Sequence, residues 1–320
     1  MRVNDCISIT PGFRYDQIVT ESDGFFHAVV NDSLYYTNNR KKLERGIFLA
    51  GLGASYKCFV GGEAYTNFSQ NYRAINFNDM QVINSNVVID PDLEDEKGFN
   101  IDLGLRGIAW SVLEYDLSVF YLNYSNRIGY LSKYYTEDTA PTPGLLYTSY
   151  RFSTNIGDSK TLGIESYVSW NVFKSFTDIE TQALNLFLNT SFQKGTYVRS
   201  DEPSIKGKRL EYNPNMNLKF GIEYRYKSFT SSLLYSYTSS QFADAQNTTS
   251  PTQNALFGEI PSYSVVDLSA KYEKERFIIE AGVNNLLDRS YFTRRATGYP
   301  GPGIIPSDKR NYYLSLQFKI

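Results

Sequence analysis

Two adjacent arginines, Arg294 and Arg295, stand just before the Gly- and Pro-rich stretch 299–306. A guanidinium presents a rigid fork of N–H donors that matches carboxylate oxygens two at a time, so such a pair suits an anionic ligand. A second basic group gathers Arg199, Lys206, Lys208 and Arg209. Tyr134, Tyr135, Tyr291 and Tyr299 could pack on a bulky ligand. The plainer reading makes all of these charged rim residues and interface tyrosines.

Catalytic chemistry finds less to work with. His27 is the only histidine, and no Ser or Asp lies at a recognisable spacing from it. Asp92 and the run Glu94-Asp95-Glu96 form a loop charge run, better solvated than arranged as a dyad or a calcium site. A Gly-rich phosphate loop, a His/Cys metal cluster and a haem motif are all missing, so neither an enzyme nor a cofactor is expected. Cys6 and Cys58 fall near one end of neighbouring predicted strands. A bridge is open to them, but two free thiols are preferred. A net charge of -2 gives no basic footprint for nucleic acid.

The elements that must position these residues are strands. Helical periodicity is nearly absent, while period-two alternation recurs from end to end. Tyr312, Leu314, Leu316, Phe318 and Ile320 alternate with Asn311, Tyr313, Ser315, Gln317 and Lys319. Met216, Leu218, Phe220, Ile222, Tyr224 and Tyr226 alternate with Asn217, Lys219, Gly221, Glu223 and Arg225. The pattern predicts about twelve strands, near 5–18, 46–56, 59–70, 98–108, 112–125, 161–172, 181–197, 212–226, 229–241, 262–272, 276–285 and 309–320. Their connections alternate strictly. Short turns near 56–58, 108–111, 173–178, 226–228 and 273–276 separate long segments near 19–45, 71–97, 126–160, 198–211, 242–261 and 286–308.

That parity is what a transmembrane antiparallel β-barrel shows, with periplasmic turns on one side and extracellular loops on the other. Composition agrees. Tyr (27) and Phe (21) are abundant, yet mean hydropathy is -0.38, as expected when only alternate residues meet lipid. Polar inward residues such as Lys219, Glu223, Arg225, Asp267, Lys271 and Glu280 would line the lumen, most simply as a salt-bridged wall. Residues 1–320 form one unit without an internal linker. The first twenty residues lack a basic start followed by an apolar core, so they are no signal peptide. Since a barrel must be exported, Met1 is not expected to be the natural start.

The segment Asn284-Asn285-Leu286-Leu287-Asp288-Arg289-Ser290-Tyr291-Phe292 resembles the stretch before the final strand of TonB-dependent outer-membrane receptors. Ile9-Thr10-Pro11-Gly12-Phe13-Arg14-Tyr15, Phe68-Ser69-Gln70-Asn71-Tyr72-Arg73 and Leu93-Glu94-Asp95-Glu96-Lys97-Gly98 resemble other family segments in order, with Asp95 where the family usually has Pro. Asn155-Ile156-Gly157 followed by Gly163-Ile164-Glu165 is a further match. The run from Arg294 to Ile304 inclines the resemblance toward ferric-citrate and siderophore receptors.

The resemblance implies active uptake of a ferric chelate or a similar scarce solute across the outer membrane. It implies outer-membrane lipid, a plug domain and an inner-membrane energy-coupling complex as partners. It also makes the cations and tyrosines named above candidate ligand contacts. Such receptors have a plug, a coupling box and about twenty-two strands. This chain shows about twelve strands and neither of the other two, so the expectation is a partial barrel, the carboxy-terminal portion of such a receptor. The last residue is Ile320, where the family prefers an aromatic, with Phe318 two positions earlier. Two other readings stand beside it, a self-contained passive twelve-strand channel and a barrel-type lipid hydrolase.

Overall fold

In the computed structural model, residues 3–30, 33–59, 61–80, 86–140, 143–177, 181–296 and 302–319 are described. Twelve antiparallel strands make one wall. They are β1 (Ile7–Val30), β2 (Ser33–Phe59), β3 (Gly62–Arg73), β4 (Glu96–Ala109), β5 (Leu113–Tyr134) and β6 (Ser149–Asn171). The second half is β7 (Gln182–Arg199), β8 (Met216–Tyr226), β9 (Phe229–Thr238), β10 (Tyr263–Lys274), β11 (Phe277–Asn284) and β12 (Asn311–Phe318). Each of these twelve pairs with its neighbours in sequence, so their order across the sheet is the order along the chain, and a thirteenth short strand, Val87–Ile89, adds in parallel to the outer part of β6. β1 and β12 are outermost and do not pair with each other; the barrel is partial and open.

The register shows why this sheet curls. Starting at the turn after β4, directly opposed residues run Ala109, Leu113, Trp170, Leu186, Ile222, Leu233, Leu268, Val283, Tyr312. Every member is apolar or aromatic. The row begins at the short-turn end of β4 and finishes one pair from the long-loop end of β11 and β12. Strands so staggered are tilted, which is the geometry of a barrel wall. The neighbouring row, on the other face, reads Asn171, Asn185, Glu223, Ser232, Ser269, Gly282, Tyr313. One face is greasy and the other wet.

Among the described residues most of the greasy face is uncovered. Phe13, Phe48, Leu103, Leu162, Ile164, Leu314 and Leu316 are all more than half exposed, a pattern that suits hydrocarbon and not water. The fully buried apolar residues lie elsewhere. Ile205, Leu256, Phe257 and Ile260 belong to long connections, and Ile205 packs with Leu131, Ile156 and Tyr197 from the outer parts of β5, β6 and β7, so the packed core sits at the long-loop end.

The inward face carries a repeated steric device. Tyr65, Phe120, Phe187 and Tyr313 each stand opposite a glycine on the next strand: Gly104, Gly163, Gly221 and Gly282. The ring lies across the space a side chain would fill. A Cβ on Gly221 would meet the Phe187 ring at 2.1 Å, and one on Gly163 would meet Phe120 at 2.3 Å. Aromatic cover of a strand glycine restores packing that the glycine lacks and pins the register.

The structure also moves several boundaries. The expected loops 19–45 and 126–160 are mostly strand, because β1 and β2 pair out to Val30 and Ser33, and β5 and β6 to Tyr134 and Ser149. Beyond the membrane neither face meets hydrocarbon, so regular apolar alternation stops while backbone pairing continues, and Ile128 and Leu131 of β5 pack on loop residues such as Leu93 and Ile205. Charged neighbours sustain the β1–β2 ribbon, as where Arg40 meets Glu21 at 2.8 Å. The β5–β6 ribbon carries a bulge at Asn126, which holds a left-handed φ of 54°. His27, placed by its sequence in a loop, lies in the β1 ribbon opposite Tyr36. Cys6 is a free, exposed thiol.

Gly221→Val is expected to push the Phe187 ring off the wall and cost about 1–3 kcal/mol. Heat-modifiable gel migration of the folded protein should convert at lower temperature. Phe187→Ala combined with Gly221→Val should lose less than the two single changes added together.

Candidate ligand-binding site

The long-loop end is knitted by side chains that act on neighbouring main chains. Three amides of the β9–β10 loop do most of this. Gln246 accepts the Ser132 N–H at 2.6 Å and donates to the Ser132 carbonyl at 3.2 Å. Asn247 accepts the Arg209 N–H and donates to its carbonyl, both at 2.8 Å. Asn254 donates to the Ser149 carbonyl at 2.7 Å and accepts from the Ser149 hydroxyl at 2.8 Å. Each amide stands in for a strand neighbour, satisfying donor and acceptor together. One loop thereby clasps β5, β6 and the β7–β8 connection.

Two arginines complete the knit. Arg151, near the start of β6, is buried and donates to the Tyr212 hydroxyl at 2.7 Å, the Leu256 carbonyl at 3.1 Å and the Arg295 carbonyl at 3.4 Å. Its guanidinium lies near the Tyr130 and Phe257 rings, 5.2 and 5.8 Å from their centroids. Arg295 is buried as well. It donates to the carbonyls of Ala255 at 3.0 Å, Gly258 at 3.2 Å and Glu259 at 3.0 Å. Burial pulls its pKa below the usual guanidinium range, yet it stays charged at any physiological pH.

Asp244 lies fully buried in the same loop. Its Oδ1 accepts the Gln246 N–H at 3.0 Å and the Thr248 hydroxyl at 3.0 Å, while Oδ2 has no partner among the described residues. Burial pushes this carboxyl up, helped by nearby Glu211 and opposed by the bonds from Thr248 and Gln246.

Two clefts open at this end. The first, about 410 Å³, faces the lumen and is lined by Tyr72, Arg73, Glu96, Tyr124, Arg127, Ile128, Tyr130, Glu211 and Tyr212. Its charges are mutually paired in part: Arg73 meets Glu96 at 3.1 Å and Asp79 at 3.0 Å, and the Tyr197 hydroxyl donates to Glu211 at 2.7 Å. The second, about 450 Å³, lies between the β5–β6 ribbon and the β9–β10 loop. Tyr134, Tyr147, Thr148, Ser149, Thr252, Gln253 and Asn254 line it, and none of them is charged. Tyr147 holds a left-handed φ of 61°, a conformation costly for a bulky residue.

The candidates singled out in the sequence scatter. Tyr134 lines the second cleft and is exposed, while Tyr135 turns the other way, buried and stacked on Tyr150 at 4.3 Å. Tyr291 stacks on Tyr263 at 4.5 Å. Arg199 is exposed but pairs with Asp158 at 2.9 Å. Arg209 donates to the Ser240 carbonyl at 3.2 Å and lies over Phe242. Arg294, Lys206 and Lys208 are exposed cations. Arg295 differs most from its neighbour, since its fork is occupied by three carbonyls and serves the loop. Tyr299 lies outside the described residues.

Sequence reasoning missed Arg151 and the amides at 246, 247, 253 and 254. The paired amide dipeptides Gln246-Asn247 and Gln253-Asn254 were the available signal. The acidic run, expected to be solvated, is engaged instead. Asp95 holds Arg45 at 2.7 Å with both side chains largely shielded, and Glu96 holds Arg73 and the Ile128 N–H. The run ties the β3–β4 loop to its neighbours because Arg45, Arg73 and main-chain amides converge on it. The inward charges do pair in part, with Glu273 between Lys271 at 2.9 Å and Lys319 at 2.7 Å, and Glu280 accepting from Tyr313 at 3.1 Å.

An antiparallel, staggered, two-faced sheet with turns at one end and knitted loops at the other defines a transmembrane β-barrel wall. A family model, TonB dependent receptor-like, beta-barrel, matches residues 1–286. The chain belongs to the TonB-dependent receptors, a family of transport receptors of the Gram-negative outer membrane. Among solved structures it is similar to the ferric citrate transporter FecA in its unliganded form, at 18% identity and a TM-score of 0.69. That match covers 98% of this chain and 42% of FecA. The ferric yersiniabactin uptake receptor FyuA from Yersinia pestis matches at 17% identity and 0.70, over 99% of this chain and 43% of FyuA. The copper transporter OprC matches at 13% and 0.70, over 99% and 47%. The chain thus spans less than half the length of each of these relatives. At such identity the likeness shows the fold alone.

Two outcomes follow from the loop geometry. Arg295→Lys keeps the charge but loses the fork, and should loosen the loop cluster by about 2 kcal/mol, read as faster amide exchange across residues 251–260. Asp244 has a folded-state pKa above its unfolded value, so its contribution is complete at low pH and is lost as pH rises through the folded pKa. Residues 243–248 should therefore become better protected from exchange on acidification just above the ordinary carboxylate range. Asp244→Asn, which keeps the Oδ1 acceptor, should abolish that dependence.

Proposed function

We propose that this chain is part of the barrel wall and outer loop surface of a receptor that actively imports a ferric chelate, such as ferric citrate or a siderophore, or a similar scarce solute. The observation that carries the reading is the knitted long-loop end. Arg151, Arg295 and the three amides fix the loops that border its clefts, and preorganisation of this kind lowers the cost of binding. Arg294, Lys206 and Lys208 remain exposed to meet an anionic chelate, and Tyr134 and Tyr147 offer ring faces at the same end. The copper transporter among its structural neighbours is a reminder that this wall serves more than one cargo.

The same reading gives the wall further strands. An open edge in hydrocarbon leaves unpaired backbone groups that cost several kcal/mol each. The outer edges of β1 and β12 therefore need partners, and the 42% to 47% coverage of its relatives leaves room for them. A plug domain and an inner-membrane energy-coupling complex would complete the machine. No observation favours a passive channel or a lipid hydrolase.

Deleting the gene and restoring it tests the cargo. Uptake of radioactive iron supplied as ferric citrate or as a ferric siderophore should fall on deletion and return on restoration. Restoring Arg294→Ala with Lys206→Ala and Lys208→Ala should raise the half-saturating concentration about tenfold, the worth of one charge-assisted hydrogen bond. Unchanged uptake of every ferric chelate after deletion would overturn the assignment.

A further inference from the structure

The cleft between the β5–β6 ribbon and the β9–β10 loop holds about 450 Å³, within the range of small-molecule sites. Its floor is fixed before anything enters. The Asn254 amide donates to the Ser149 carbonyl at 2.7 Å and accepts the hydroxyls of Ser149 at 2.8 Å and Thr252 at 2.9 Å. One wall is a tight turn. There Thr148 donates to the Leu145 carbonyl from its N–H at 2.9 Å and from its hydroxyl at 2.7 Å. The Tyr147 N–H meets the Tyr135 carbonyl at 2.9 Å, so the turn holds Tyr147 at its left-handed φ and leaves it 69% exposed. A bulky residue kept in that conformation at the edge of a cleft is strain of the kind found at ligand clamps.

What the cleft leaves free is of one chemical kind. Tyr134, Tyr147 and Gln253 are all exposed, and the two phenol hydroxyls and the side-chain amide have no partner among the described residues. Each of these residues can both donate and accept. No charged residue lines the cleft. Lys133, the cation next to Tyr134, is directed elsewhere, with its ammonium 3.9 Å from the centre of the Phe152 ring.

We propose that this cleft binds neutral sugar units of an oligosaccharide, held between Tyr134, Tyr147 and Gln253. A pyranose has an apolar C–H face and a rim of hydroxyls that donate and accept together. The face suits a tyrosine ring, and the rim suits phenol, amide and threonine hydroxyl. An anionic guest finds no counter-charge here. A wholly apolar one would strip water from the Gln253 amide and both phenols without replacing its hydrogen bonds. The chemistry therefore separates this cleft from Arg294, Lys206 and Lys208, which suit a charged ligand. Such sugar has two sources, the lipopolysaccharide of the surrounding outer leaflet or a glycan free in the medium. The site goes beyond the import of a chelate and stands apart from the identity of that cargo.

Saturation-transfer NMR and calorimetry test it, on the protein purified from outer membranes in a detergent without a sugar headgroup. The probes are maltotriose, cellotriose and mannotriose, the oligosaccharide released by mild acid from the producing strain's own lipopolysaccharide, and trigalacturonate as the anionic comparison. At least one neutral probe should bind, with saturation passing to its ring C–H protons. Tyr134→Ala and Tyr147→Asn should each weaken binding about fivefold. Asparagine suits the left-handed backbone at 147, so the loss there reports the ring and not strain. Tyr134→Phe and Gln253→Ala, which remove polar groups alone, should each weaken it about threefold. Binding of the released oligosaccharide alone assigns the surface lipid, and binding of a free trisaccharide assigns a glycan from the medium. Failure of every neutral probe to bind protein shown by heat-modifiable migration to be folded would overturn the site. So would binding that all four variants leave unchanged, or trigalacturonate held as tightly as a neutral probe. A protein that binds sugar yet imports no ferric chelate keeps this site and loses the cargo proposed above.

Discussion

A peptide group in hydrocarbon has no water to fall back on, and the wall's architecture follows from that single constraint. Every N–H and C=O along the spanning strands must find a neighbour, so the strands pair in sequence order with almost no irregularity between β7 and β12. Once the ladder is continuous, tilt decides how far each strand is displaced from the last. The row from Ala109 to Tyr312 records that displacement residue by residue. Alternation then assigns the two faces automatically, and a slip of one residue would exchange Leu, Ile and Val for Asn, Glu and Ser. The glycines opposite Tyr65, Phe120, Phe187 and Tyr313 add steric resistance to such a slip.

Outside hydrocarbon the constraint relaxes, and the means of satisfying backbone groups change with it. Gln246 and Asn247 each supply one donor and one acceptor to a neighbouring main chain, and Asn254 donates to the Ser149 carbonyl while accepting from its hydroxyl. Arg151 and Arg295 do the same for carbonyls alone, collecting Leu256, Ala255, Gly258 and Glu259. Side chains that a binding surface would be expected to present are thus enlisted in holding the surface together. The contrast between adjacent Arg294 and Arg295 makes the division plain: one faces solvent, and the other is enclosed by carbonyl oxygen.

This division also explains how far the sequence could be followed. Alternation is imposed by lipid on one side and water on the other, so all twelve strands and the short-long parity of their connections were readable from residue types. Where neither face meets hydrocarbon, as in the outer part of β5 from Arg127 to Tyr134, the pattern vanishes although the ladder continues. Residues 126–160 therefore read as loop. The loop packing was illegible for a different reason. Beyond the amide pairs at 246–247 and 253–254, nothing local distinguishes a staple such as Asn254 from a solvated asparagine, because its partner, Ser149, is 105 positions away in the chain. The Asp90–Glu96 run looked solvated for the same reason, since Arg45 and Arg73 come from other strands.

The two ends of the wall consequently hold their places by opposite means. At the long-loop end, buried polar bonds fix the connections against one another, and the surface left over is available to a ligand. At the short-turn end the connections are too brief to pack on themselves, and position has to come from the surroundings. There Trp110 holds a left-handed turn and Phe173 sets its ring against Tyr224 of the outward apolar row, so large rings meet the strand face and not a packed loop. Rigidity is thus concentrated at the long-loop end, where Arg151, Arg295 and three amides bind loops to one another.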